Sequence, residues 1–253
     1  MRPVGWFRPR CGHQWDDGAV TSSLHHRVLD RLGAELTGGA VPAGSTFSTE
    51  SLMERYGVSR TIAREALKVL EQNGVVTSRR RVGVTVMPES EWAALSPLVV
   101  RWWLESPQRP RQLRELSELR GGVEPVAAGL AATRATDDQR SAISAAVMGM
   151  SRTGPRGDLE TYLQHDIAFH RTVLEASGNA GLASFAPLVA EALSGRTHHD
   201  LMPPVPEPQA IRWHFAVAEA IALGDAAEAE RVMRAIVGEA QEAMEQVTGD
   251  SRD

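Results

Sequence analysis

The chain has 253 residues, one cysteine, 42% hydrophobic residues and a formal charge of −5. That length suits one large or two ordinary domains with a real core. The lone Cys11 excludes an intrachain disulfide and fits a reducing compartment; no apolar run reaches the length of a membrane span, so a cytoplasmic protein is expected.

The charge is unevenly spread. Residues 1–87 carry 12 Lys+Arg against 8 Asp+Glu (+4), which leaves 15 against 24 (−9) for residues 88–253. A basic N-terminal part joined to an acidic remainder suits a DNA reader with a separate regulatory domain. Residues 1–20, with Trp6, Phe7 and Trp15 among Pro and Gly, lack a signal-peptide core and read as a flexible arm. Cys11 and His13 have no second pair at zinc spacing.

From Ser22 to Leu36, Leu24, Val28, Leu29, Leu32 and Leu36 recur at helical spacing and make a supporting helix. A second helix is expected from about Ser48, whose hydroxyl can cap it, to Tyr56, with Gly57 as the left-handed stop. Ser59 caps a third helix that runs to about Asn73 and ends at Gly74. Helix, Gly-containing turn and helix is the layout of a helix-turn-helix. In the third helix Ala63, Ala66, Leu67 and Leu70 form the core stripe, leaving Arg60, Thr61, Arg64 and Lys68 for phosphates and base edges. Val75 to Ser78 and Val82 to Val86 then read as two strands around the basic tip Arg79-Arg80-Arg81, a β-hairpin wing.

These residues resemble the GntR family of bacterial transcription regulators over about Ser22 to Met87, on Val58-Ser59-Arg60-Thr61, Arg64-Glu65-Ala66-Leu67 and Gly83-Val84-Thr85-Val86. The resemblance implies a winged helix that contacts DNA through Ser59, Arg60, Thr61, Arg64, Arg80 and Arg81. It also implies a homodimer on an inverted-repeat operator. Glu50 stands where some members have a DNA-contacting Arg, and Arg81 where many have a wing Gly.

Beyond Met87 strand signals disappear. Helical periodicity continues, broken by Ser106 to Pro110, Gly154 to Gly157 and Pro203 to Pro208. The expected fold is mostly α: a winged domain at 21–88, a linker and connecting helix at 89–110, and an all-helical bundle of six or seven helices at 111–248, Trp92 to Leu104 included in that count. Four polar residues fall on its core-facing stripes: Asp166 and His170 one turn apart, His214, and Arg120. Buried, they must bind one another, a metal or a ligand. A carboxylate with imidazoles from two helices can hold a divalent ion; a hydrogen-bonded core network, with Arg120 on Glu124 or Asp166, uses the same residues. Gly121-Gly122 costs roughly 1 kcal/mol per Gly relative to Ala in a helix and leaves room for close ligand approach.

This second part is similar to the FCD ligand-binding domain of the FadR-type branch of that family, on Glu118-Leu119-Arg120 with Glu124, Asp166 to His170, Ser177-Gly178-Asn179 and His214. The resemblance implies a divalent metal (zinc or similar) on Asp166, His170 and His214, with Ile236 where a fourth His is expected. It further implies a small carboxylate effector bound with help from Arg120 and Asn179. Leu95 to Trp102 is similar to sugar-acid-responsive regulators. The function expected is therefore a transcription regulator, a repressor by the commoner family mode, that senses a sugar acid or hydroxy acid and is not an enzyme. The alternatives are a metal-dependent enzyme fused to a DNA-binding domain, for which no general base or nucleophile constellation is evident, and an acyl-CoA-sensing regulator.

Overall fold

The structure, a computed structural model, describes residues 24–199 and 201–248; the N-terminal arm, with Cys11 and His13, lies outside them. The chain divides into two compact units, with the division in the sequence between Pro107 and Gln108.

The first unit contains α1 (Leu24–Thr37), β1 (Thr46–Phe47), α2 (Thr49–Tyr56), α3 (Arg60–Gln72), β2 (Val76–Arg79), β3 (Gly83–Val86) and α4 (Pro97–Leu104). The local chemistry that fixes the helix-turn-helix is as the sequence dictates. Ser48 Oγ accepts from Ser51 N, Gly57 closes α2 at φ 63°, and Ser59 Oγ accepts from Ile62 N. Ala63, Ala66, Leu67 and Leu70 of α3 are buried against Val28, Leu29, Leu32 and Leu36 of α1. The wing is a three-stranded antiparallel sheet in the order β1-β3-β2, with Val76 opposite Val86 and Arg79 opposite Gly83. The two-residue β1 is an addition to the expected hairpin; Thr46 and Phe47 pair with Thr85 and Val84.

Residues 92–104 do not join the bundle. Trp92 Nε1 donates to Met87 O, Ala93 N donates to Asn73 O, and Val99, Trp102 and Trp103 of α4 enter the core of the first unit. The reason is steric and apolar: Gly33 of α1 leaves a seat for the Trp102 ring, which a Cβ there would approach to 2.2 Å, and Trp102 Nε1 donates to Asp30 Oδ1 at 3.1 Å.

The second unit holds α5 (Arg109–Arg134), α6 (Asp137–Thr153), α7 (Leu159–Ala176), the single-turn α8 (Ala180–Ala183), α9 (Ala186–His198), α10 (Pro208–Leu223) and α11 (Ala226–Thr248). It is all helical among the described residues. Pro110, expected in a break, sits in the first turn of α5, where a missing N–H costs nothing. Pro125 lies inside the same helix, so the carbonyl four residues back, at Gly121, has no helical donor. Glycine at 121 and 122 answers no crowding: a Cβ at Gly121 would meet Val237 Cγ1 only at 4.0 Å, and at Gly122 nothing within 4 Å. The core of this unit is a layer of Ala128, Ala131 and Ala132 from α5 with Val147 and Met150 from α6, Phe169 from α7, Val217 and Ile221 from α10 and Met233 from α11.

Candidate functional site

Two sets of residues carry chemistry, one in each unit. In the first unit Ser59, Arg60, Thr61 and Arg64 are all exposed at the N-terminal end of α3, and Arg80 and Arg81 are exposed at the wing tip. The Ser59 hydroxyl is engaged in capping α3 at 3.4 Å. Arg60 is engaged as well: its Nη2 donates to Glu50 Oε1 at 2.8 Å. Arg81 is the single non-glycine residue with positive φ among the described residues, at 68°. The wing is tied to α3 by Ser78 N, which donates to Glu71 Oε1 at 2.8 Å.

In the second unit a chain of buried polar side chains crosses three helices. Arg120 Nε on α5 donates to Glu124 Oε1 at 2.5 Å, one turn on. The other Glu124 oxygen accepts from His170 Nδ1 on α7. His170 Nε2 then stands 3.3 Å from Asp166 Oδ1, and His214 Nε2 of α10 stands 3.3 Å from the same oxygen. His214 Nδ1 lies 2.7 Å from Ala210 O; a carbonyl can only accept, so the proton of neutral His214 sits on Nδ1. Phe169 packs edge-on against both imidazoles, at centroid distances of 5.2 and 4.8 Å. All five polar residues are buried.

The electrostatics follow from that burial. For Glu124, desolvation favours the neutral acid, but Arg120 and then His170 outweigh it and bring the carboxyl down to about 2. Burial works the same way on Asp166, and contacts from His170 and His214 hold it well below the usual carboxylate range. His170 is pushed up: burial opposes its charge, and Glu124 with Asp166 overcomes that.

The 3.3 Å contacts onto Asp166 lack hydrogen-bond geometry, so Asp166 Oδ1 and His214 Nε2 are buried without a partner. Ligand atoms of Asp166, His170 and His214 all lie within 4.8 Å of one another. Neighbouring donors on a tetrahedral ion with bonds of roughly 2.0–2.1 Å stand about 3.3–3.4 Å apart. The two orphaned atoms and the two 3.3 Å separations onto Asp166 fit a divalent metal. Each imidazole also has its Nδ1 occupied by an acceptor, the arrangement that turns Nε2 toward an ion.

The other expected site residues fall elsewhere. Asn179 is exposed, and its Oδ1 accepts from Gly181 N and Leu182 N as the cap of α8, so it does not join the buried chain. Arg120 does join it, through its Nε–H, which it donates to Glu124. Ile236 is buried on α11 within the apolar core beside Met233 and Val237, and adds no donor. Glu124 as the partner of His170 was not foreseen, although its i,i+4 spacing from Arg120 was visible.

Comparison with known proteins places both units. The family described as bacterial regulatory proteins, gntR family, matches residues 24–86, and the FCD domain family matches residues 115–239. The galactonate operon transcriptional repressor of Escherichia coli is 28% identical over 231 residues, covering 90% of this chain and all of that protein. The putative L-lactate dehydrogenase operon regulatory protein of Escherichia coli is 30% identical over 218 residues, 84% of this chain and 83% of that one. Among solved structures, Escherichia coli McbR/YncC matches with a TM-score of 0.53 at 19% identity, covering 90% of this chain and 100% of that one, a likeness of fold.

Proposed function

Since the chain belongs to the GntR family of bacterial regulatory proteins and carries an FCD domain, we propose that it is a metal-dependent repressor released by a small hydroxycarboxylate. It is a DNA-binding transcription regulator, mostly helical, with a winged helix ahead of a helical domain. The observation that carries the effector reading is the pair of orphaned buried atoms, Asp166 Oδ1 and His214 Nε2, converging with His170.

Asp166, His170 and His214 would hold one divalent ion, zinc or similar, and Ile236 leaves it with three protein donors. Such an ion supplies Lewis acidity and positions open to a carboxylate and a neighbouring hydroxyl. Glu124 fixes the His170 ring and Ala210 O fixes the His214 ring, so the donor set is preorganised by the chain itself. The Arg120 guanidinium, held by Glu124 through its Nε, provides a cation for the effector carboxylate. Two relatives are named for operons of galactonate and of lactate dehydrogenase, and galactonate and lactate are both 2-hydroxy acids. Ser59, Arg60, Thr61, Arg64, Arg80 and Arg81 would meet DNA, with a homodimer placing two winged domains on an inverted repeat.

The test is a thermal-shift and operator-binding series on metal-loaded and chelated protein with lactate, galactonate and malate. A rise in Tm on metal loading, a further rise with a hydroxy acid and weakened operator binding are expected. Protein that binds no stoichiometric divalent ion, or turnover of the acid to product, would overturn this reading.

A further inference from the structure

Tyr162 stands one turn before Asp166 on the inward stripe of α7 and is 2% exposed. Its ring shares a layer with Ile211, which lies one turn before His214 on α10. A Cβ at Gly154 would come within 3.3 Å of the Tyr162 ring and 3.1 Å of Ile211 Cδ1. The Tyr162–Ile211 layer is therefore stacked one turn from the Asp166–His214 layer along both helices. The Tyr162 hydroxyl hydrogen-bonds to nothing among the described residues, and its phenol is pushed up by burial and then by Asp166, with Arg196 acting in the opposite direction.

Arg196 on α9 is the cation at that end of α7: His198, two residues on, places its Nε2 3.1 Å from Oε2 of Glu160, two residues before Tyr162. Its Nε is buried without a partner, and its Nη2 meets only the sulfur of Met202, at 3.5 Å. A thioether is a weak acceptor for a guanidinium. No carboxylate pairs with Arg196 among the described residues, which is costly for a half-buried charge unless something else supplies the acceptor. One turn from Asp166 along α7 the bundle thus holds a second polar group, a phenol hydroxyl and a guanidinium whose buried Nε has no partner.

We propose that Arg196 and Tyr162 form a second effector subsite, which binds the far end of an acid longer than lactate: the distal hydroxyls of a sugar acid or a second carboxylate. The inference rests on the reading of Asp166, His170 and His214 as the seat of the effector's near end, and adds what sets its length and polarity. Arg196 donates to the distal oxygen and Tyr162 gives and takes a hydrogen bond there, so a short acid fills one subsite and a longer one fills both.

The experiment titrates metal-loaded full-length protein with lactate, galactonate and malate, following Tm, in wild type, Arg196→Gln and Tyr162→Phe. Wild type should respond to galactonate or malate at lower concentration than to lactate, and whichever acid leads tells distal hydroxyls from a distal carboxylate. Each variant should raise the half-saturating concentration of that acid about tenfold or more, with the lactate response and the metal-induced rise in Tm unchanged. If Arg196→Gln does not fold, Tyr162→Phe, which removes one oxygen, decides the matter alone. Variants that keep the full long-acid preference, or a wild type that prefers lactate, overturn the second subsite and leave the first reading standing. A wild type that takes up metal and responds to no acid overturns both.

Discussion

Glu50 of α2 and Arg60 of α3 face each other across the helix-turn-helix, Oε1 to Nη2 2.8 Å, with each side chain 59% exposed. An ion pair this exposed adds little to stability, about 0–1 kcal/mol. Its consequence is for DNA. A carboxylate beside the guanidinium repels phosphate and restrains the direction in which Arg60 can reach. Glu50→Gln should leave Tm unchanged while tightening binding to random duplex and narrowing the operator's advantage over it. Anisotropy titrations on both duplexes at several salt concentrations check this; equal affinity of wild type and variant for both would remove the assigned role.

Arg64 has no such restraint and stands exposed on α3. Arg64→Ala should cost about 1–3 kcal/mol on the operator and relax base preference there, because a bidentate contact to a base edge is lost. Equal loss on operator and random DNA would make Arg64 a phosphate anchor.

Arg81 offers opposite signs in two measurements. Its φ of 68° costs a non-glycine residue roughly 1–2 kcal/mol. Arg81→Gly removes that strain and also one cation from the wing tip. The variant should melt no lower than wild type, yet bind DNA more weakly with a salt slope reduced by about 1. Lower Tm together with unchanged DNA affinity would show a purely structural residue.

The buried carboxylate gives the pH dependence. Glu124 is brought from 4.5 down to about 2, so its contribution to the stability of the metal-free protein is full above pH 4.5 and is lost as pH falls toward about 2. His170 is raised, so its contribution is present below about pH 6.5 and is lost as pH rises through its folded value. Glu124→Gln should flatten the acid limb in urea unfolding at stepped pH. In the metal-loaded protein the sign at His170 reverses in importance: the ion needs a neutral imidazole, so metal affinity should climb with pH and binding should release protons. The same variant should lower that affinity about 10–100-fold by freeing the His170 ring. Calorimetry in buffers of different ionisation enthalpy measures the released protons.

How much of this was legible in the sequence depended on range. Ser48, Gly57 and Ser59 announce helix ends because a cap acts within three residues. Asp166 and His170 share a face by spacing alone, and His214 declared itself by sitting on an apolar stripe. β1 did not, since two residues carry no periodicity and become a strand only by pairing with Thr85 and Val84. Nor did the contact of Glu124 with His170, which joins residues on two helices. Arg196 was missed because α9 alternates small and apolar residues with no clear polar face, leaving its half-buried position to packing against α7. The placement of α4 was misread for the opposite reason: Val99, Val100, Trp102 and Trp103 make it apolar enough to fit any core, and only the seat at Gly33 tells which.

That seat has a practical meaning for anyone who would move this DNA reader onto another sensor. A fragment cut after the wing, at residue 88, would strip Trp102 and Trp103 from the core and open the face of α1 that they cover. The transferable cassette instead ends at Pro107, with α4 retained as its lid. Chimaeras joined there should keep a cooperative unfolding transition, whereas those joined at the wing should expose apolar surface and aggregate.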